Sequence, residues 1–143
     1  MSYTGAEVLF ASLETGYTQL MLGNNKIMAF VATADAARSR NFYENVLGLH
    51  VTSDDEFALV LNAGGTTLRV QKAATVHAPP YTSLGWEVKD LQATVRALTE
   101  RGVHFERYPH FSQDELGIWH APSGASVAWF KDPDGNLLSL AQI

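Results

Sequence analysis

No cysteine occurs among the 143 residues. Thiol catalysis, disulfides and zinc–thiolate sites are therefore excluded, and any chemistry falls to histidine, carboxylate, hydroxyl and guanidinium groups. Arg69 stands in Thr67-Leu68-Arg69-Val70-Gln71, where strand alternation puts Thr67, Arg69 and Gln71 on one face and Leu68 and Val70 on the other. A guanidinium so placed would grip a carboxylate or phosphate in bidentate fashion, unless an acid such as Glu87 claims it. Ser83, Gly85 and Glu87 make a second polar strip, and Ser139 adds a hydroxyl near the end of the chain. No base partner for these serines is visible, so a serine nucleophile is not expected among them.

The five histidines divide by position. His50 and His104 each lie between apolar strand residues and so face solvent. His77 falls in a linker. His110 and His120 flank a loop that holds Trp119, and no pair has the i, i+4 spacing of a helical metal site. With Asp114 or Glu115, His110 and His120 form the one histidine-based metal alternative. His120 at a pocket mouth, with Glu87 beside it as the other candidate, could serve as general acid or base. Tyr108, Phe111, Trp86, Trp119 and Trp129 gather in the second half. Trp86 alternates with Gly85 and Glu87 and is expected beneath a helix. Tyr108 and Trp119 are expected to line a cavity mouth suited to a planar or apolar small molecule.

The formal net charge of −5 and the lack of any basic run speak against nucleic acid and anionic membrane as partners. No apolar run approaches the roughly 18 residues of a membrane span, and no basic-then-apolar leader opens the chain. A cytoplasmic protein is the expectation. The length fits one compact domain, or two small halves on a shared core.

The elements that must carry these residues follow from periodicity. Residues 1–25 read as an extension: Thr4-x-x-Glu7 fits a capping box before Val8, Leu9, Phe10 and Leu13, with Gly16 at the end of a short helix and Gly23-Asn24-Asn25 as a turn. Ile27 to Thr33 is a strand. Asp35 is an N-cap for a helix over 36–47, closed by Gly48. Leu49 and Val51, then Phe57 to Leu61 and Thr66 to Gln71, are strands. Ala73 to Pro80 is a linker. Thr82 to Val88 is a strand, Asp90 caps a helix with Leu91, Val95 and Leu98 on one face, and Gly102 ends it. Val103 and Phe105 form a strand, 108–118 a long loop with a short strand near 117–121, and 126–140 a hairpin about Asp132-Pro133-Asp134-Gly135.

The second half repeats the first. Asp35 matches Asp90 at an offset of 55, and Gly48-Leu49-His50-Val51 matches Gly102-Val103-His104-Phe105 at 54. The hairpins match at 70. An internally duplicated β-α-β-β-β unit follows, with modules at about 26–72 and 81–143 of a single 26–143 domain.

With the repeat in view, Asp35-Ala36-Ala37-x-x-x-x-Phe42-Tyr43-x-x-Val46-Leu47-Gly48-Leu49 and Asp132-Pro133-Asp134-Gly135-Asn136-x-Leu138-x-Leu140 resemble the vicinal oxygen chelate superfamily, which includes glyoxalase I, extradiol dioxygenases and bleomycin-resistance proteins. The resemblance implies an α+β fold of two tandem βαβββ modules that form a curled mixed sheet around a cavity. It also implies a homodimer. Metal-using members carry His, Glu or Gln on the first and last strand of each module. The matching positions here are Met28, Arg69, Ser83 and Ser139, a set unsuited to a hard divalent ion. The resemblance therefore implies a small-molecule-binding protein without metal or other cofactor, its ligand held by Met28, Arg69, Gln71, Ser83, Tyr108, Trp119 and Ser139. The alternative is a glyoxalase-like lyase, isomerase or dioxygenase with an atypical or displaced metal site.

Overall fold

The computed structural model describes residues 20–143; the expected capping box at Thr4 and helix end at Gly16 lie outside them. After a 3-10 turn at Leu22–Asn24, the first module comprises β1 (Met28–Thr33), α1 (Ala36–Arg40), β2 (His50–Asp54), β3 (Ala58–Ala63) and β4 (Thr66–Lys72). The second comprises β5 (Leu84–Glu87), α2 (Leu91–Glu100), β6 (Trp119–His120), β7 (Ser126–Lys131) and β8 (Leu137–Gln142). The strands form two four-stranded mixed sheets with the same plan, β1-β4-β3-β2 and β5-β8-β7-β6. In each, the first strand runs parallel to the last and the remaining pairs are antiparallel. β1 lies beside β5. This is the expected α+β pair of βαβββ modules.

Both helices begin as their N-caps dictate. Asp35 accepts the Arg38 N–H at 3.1 Å, and Asp90 accepts that of Ala93 at 3.0 Å. Gly48 and Gly102 then turn the chain out at φ +79° and +93°, a conformation that favours glycine. The expected single helix over 36–47 proves to be two kinds of helix: α1 passes into a π-helical turn at Asn41–Val46, where the Leu47 N–H reaches back five residues to the Phe42 carbonyl at 2.9 Å. The cause is the one-residue difference between the repeats. Thirteen steps separate Asp35 from Gly48, against twelve from Asp90 to Gly102. The extra residue is absorbed as a π-bulge rather than as a rotation of the helix face.

One face of each sheet is buried against its helix. Val31, Leu59, Leu61, Leu68 and Val70 of the first sheet join Tyr43, and Ala128, Phe130, Leu138 and Leu140 of the second join Leu91, Val95 and Leu98, in one continuous core. Trp86 packs beneath α2 as expected, stacked on Phe130 at 6.5 Å. Two expected strands are revised. The strand read over Thr82 to Val88 narrows to Leu84–Glu87. Val103 to Phe105 yields only a single bridge, Phe105 to Phe130. The outer edge of the second sheet is instead split: Phe105 pairs once, the chain leaves, and Trp119–His120 resumes the pairing with β7. The intervening residues are what the second module adds to the first.

The Asp132–Asn136 turn does more than reverse the chain. Asp132 Oδ1 accepts the N–H groups of Asp134 and Asn136, both at 2.9 Å, and Gly135 takes φ +87°. Asp132 Oδ2 accepts the Tyr43 hydroxyl at 2.7 Å. Asp134 accepts the Thr33 hydroxyl at 2.6 Å and the Ala34 N–H at 2.9 Å, and Asn136 Nδ2 donates to the Ala32 carbonyl at 2.9 Å. The closing turn of the second module is thus a clasp on the end of β1 and on the π-helical turn of the first.

Candidate small-molecule site

The sheet faces turned away from the helices are where the candidate residues were expected, and the register defines them. In the first sheet Met28 pairs with Thr67, Phe30 with Arg69 and Ala32 with Gln71, so these six share the open face while Leu68 and Val70 are buried. Met28 and Phe30 are 50% and 49% exposed, an unusual state for large apolar strand residues facing the inside of a curled sheet. Arg69 is half-buried. It forms no hydrogen bond or ion pair among the described residues, and Glu87 does not claim it. Its charge is felt by Asp55, whose carboxyl is held below the usual range mainly by the N–H groups of Ala58 and Phe57, with Arg69 adding to them.

In the second sheet Gly85, Ser139 and Trp129 are in register, as are Glu87, Ala141, Val127 and Trp119. Ser139 shares the open face with Trp129 and Trp119. Its hydroxyl fills the space over Gly85: a Cβ at position 85 would stand 2.7 Å from Ser139 Oγ. The space that the missing side chain leaves is thus taken by Ser139. Ser83 precedes β5, is exposed, and joins β8 only through its N–H to the Leu137 carbonyl at 2.8 Å. Glu87 is exposed, on the rim of a pocket of about 290 Å3 at the seam between the sheets.

Residues 106–118 prove to be a braced platform rather than a plain loop. Gln113 lies at its centre. Its Oε1 accepts the Tyr108 N–H at 2.7 Å, and its Nε2 donates to the carbonyls of Glu106 and Gly117 at 2.9 and 2.8 Å. Arg107 donates to the carbonyls of Asp114 and Glu115, both at 2.6 Å. So held, the platform lays its rings on the open face. Phe111 stacks on Trp129 at 5.3 Å with the planes 4° apart and meets Trp119 at 4.6 Å. Tyr108 stands edge-on to Trp129 at 5.5 Å. Burial, and then the charge of Glu106, push the Tyr108 phenol up, so it is a neutral donor near neutral pH. Tyr108, His110, Phe111, Trp129, Tyr81 and Thr82 line a pocket of about 260 Å3. Tyr108 and Trp119 therefore do stand together, through Phe111 and Trp129. Those two belong to the wall as well, and the alternation that places Trp129 opposite Ser139 could have marked it. Gln113 and Arg107 gave no such signal, because a side chain that braces backbone leaves no periodic trace.

A model of the Glyoxalase/Bleomycin resistance protein/Dioxygenase superfamily matches residues 25–140. The chain belongs to this glyoxalase superfamily. Residues before 25 lie outside the matched stretch. Solved structures agree in fold. The glyoxalase family protein from Enterococcus faecalis superposes with a TM-score of 0.66 at 22% identity, over 85% of this chain and 99% of that one. A superfamily member from Sphaerobacter thermophilus gives 0.64 at 21%, over 83% and 98%. Lactoylglutathione lyase from Agrobacterium tumefaciens gives 0.61 at 15%, over 83% and 93%. At these identities the likeness is one of fold, which hosts many chemistries. A comparison with curated proteins finds no match.

The positions where the resemblance implies the ligands of metal-using members are Met28, Arg69, Ser83 and Ser139, and this donor set does not fit a hard divalent ion. Met28 offers a thioether, Arg69 a fixed cation, and the two serines neutral hydroxyls, one of them pressed against Gly85. Among the described residues no three His, Asp or Glu side chains gather elsewhere, which includes the His110/His120 alternative.

Proposed function

We propose that the protein is a metal-independent small-molecule binder of the glyoxalase/bleomycin-resistance type, taking a planar, anionic ligand on the open faces of its sheets. The observation that carries this reading is the pairing of an uncommitted cation with an ordered aromatic wall. Arg69 lies on one open face with no ion pair among the described residues, and Tyr108, Phe111, Trp119 and Trp129 are stacked on the other. A flat ring gains dispersion and apolar burial against such a wall. A carboxylate gains charge-assisted hydrogen bonds from a guanidinium. Met28, Gln71, Ser83 and Ser139 would complete the contacts. We place the binding domain at 26–143 and residues 1–25 as an extension to it.

The ligand is held and released unchanged, since among the described residues neither Glu87 nor Ser139 has a partner that would make it an acid, base or nucleophile toward it. The expected homodimer accords with the exposed Phe30, which a second subunit would cover. The test is equilibrium binding of 2-naphthoate followed by its recovery. One naphthoate bound per chain and recovered intact supports the proposal. A chemically altered naphthoate, or binding that is unchanged in Arg69→Ala, contradicts it.

A further inference from the structure

The small-molecule reading leaves one cluster unused, on the helix side of the second sheet at its β6–β7 edge. His120 and Ser126 are paired in the register and are followed across the sheet by Gln142. His120 Nδ1 lies 3.0 Å from Ser126 Oγ, and His120 Nε2 lies 3.1 Å from Asp114 Oδ2. Asp114 is itself fixed, because its Oδ1 accepts the N–H groups of Leu116 and Ile118 at 2.9 and 3.0 Å. An ionised carboxylate only accepts hydrogen bonds, so Nε2 must carry the proton that faces Asp114. Nδ1 is then a lone pair aimed at the Ser126 hydroxyl. Burial opposes the charge on Asp114, but the bonds from Ile118, His120 and Leu116 outweigh it and hold the carboxyl below its usual range, so Asp114 is an acceptor for the Nε2 proton.

Nucleophile, base and orienting acid in hydrogen-bonded series are what activate a serine. We infer that Ser126, His120 and Asp114 form a hydrolytic site for small carboxylic esters, separate from the open-face site. The three come from β7, β6 and the braced platform, and the platform's sharp turn at Gly117 (φ +88°) brings Asp114 back beside His120. A pocket of about 410 Å3 adjoins them, lined by Lys89, Asp90, Leu91, Gln92, Ile118 and Gln142 as well as His120 and Ser126. Toward a developing oxyanion its wall presents the Lys89 ammonium, with the Asp90 carboxylate beside it, and the first turn of α2. There the Leu91 N–H is taken by Gln142 Oε1 at 2.9 Å and the Ala93 N–H by Asp90, while the Gln92 N–H has no partner among the described residues.

The chemistry balances within the chain and water. The Ser126 proton passes to His120 Nδ1 as Oγ bonds to the ester carbonyl carbon. Collapse of the tetrahedral adduct breaks the bond to the leaving alcohol oxygen, which takes that proton from the imidazolium. Water, deprotonated by His120, then attacks the acyl-serine, releases the carboxylic acid and restores the Ser126 hydroxyl.

The full chain is treated with a fluorophosphonate probe, and the adduct is located by peptide mass, with p-nitrophenyl acetate hydrolysis followed in parallel. The expected result is a single adduct on Ser126 that is absent in Ser126→Ala and His120→Ala. Asp114→Asn should slow both labelling and hydrolysis on the order of 10³-fold or more, through loss of the tautomer. Ser123→Ala, an exposed neighbour in the Ala121–Gly124 turn, should label as the parent does. An adduct at some other residue, no adduct, labelling that survives His120→Ala, or hydrolysis unchanged in Ser126→Ala overturns the inference. Circular dichroism on Ser126→Ala and His120→Ala ensures that their loss is one of chemistry rather than of fold.

Discussion

The Tyr43 hydroxyl and the Asp132 carboxylate meet 2.7 Å apart in the interior. Each belongs to one of the two short motifs by which the family resemblance is read, so the motifs are halves of one contact. Burial, reinforced by the neighbouring Asp132 charge, pushes the Tyr43 phenol far up, and it stays a neutral donor at any ordinary pH. Tyr43→Phe leaves a buried carboxylate oxygen short of a donor and should cost about 1–3 kcal/mol of stability, read by chemical denaturation. Ser39 is the converse. Its hydroxyl is fully buried with no partner among the described residues, so Ser39→Ala should be neutral or stabilising by up to about 1 kcal/mol. The sequence could show that Tyr43 and Asp132 were special in kind. It could not show that they touch across 89 residues, because nothing local in either motif encodes its partner.

At the scale of elements, two local features depart from the periodic reading, and both are insertions. The first is the π-helical turn at Asn41–Val46. Since it holds one residue more than α2 needs, deleting exposed Asn45 should remove the bulge with little loss. Deleting exposed Arg96 from α2 should instead rotate half that helix and unfold the protein at markedly lower denaturant. Comparing the two midpoints checks this. The repeat offsets of 55 and 54 located the extra residue, but the choice of a π-bulge over a shifted helix is made by packing of Phe42, Tyr43 and Leu47. The second feature is the platform of 106–118, where the sequence offered only a long loop. Its ionised Asp114 has a lowered carboxyl, so the folded state binds that proton less readily than the unfolded chain. The stabilisation is complete above the unfolded carboxylate range near about pH 4 and is lost as pH falls through the lower folded value. Fluorescence of Trp119 and Trp129, which the platform holds in contact with Phe111, should therefore change below about pH 4. Asp114→Asn should show the acid-like spectrum already at neutral pH. A spectrum of Asp114→Asn identical to that of the parent would mean that the platform does not depend on this carboxylate.

For the whole molecule, the clasp at Asp132–Asn136 makes two similar modules into one cooperative unit. Thr33, Ala34, Ala32 and Tyr43 on one side meet Asp134, Asn136 and Asp132 on the other. Asp134→Ala removes two of these bonds at once and should lower the unfolding midpoint while broadening the transition, seen by calorimetry. The architecture was legible because its signals are local and repeated: two N-cap aspartates, two closing glycines, and alternation in the strands. The site was legible only by half. Alternation placed Arg69, Gln71 and Ser139 on open faces, yet the wall around Trp129 depends on how 106–118 is folded back by Gln113 and Arg107, and no period in the sequence reports that. Among the described residues no helix is long and apolar enough to cross a membrane, and the exposed charge is spread over both modules.

A planar anion bound between Arg69 and the aromatic wall would touch both open faces. Titration of 15N-labelled protein with 2-naphthoate, followed by amide and indole chemical shifts, tests this most directly. Saturable shifts are expected at Arg69, Gln71, Tyr108, Phe111, Ser139 and the Trp119 and Trp129 indoles, lost in Arg69→Ala. Shifts confined to the helix side around Leu47, Ala97 and Arg101, or none at the wall, would contradict it.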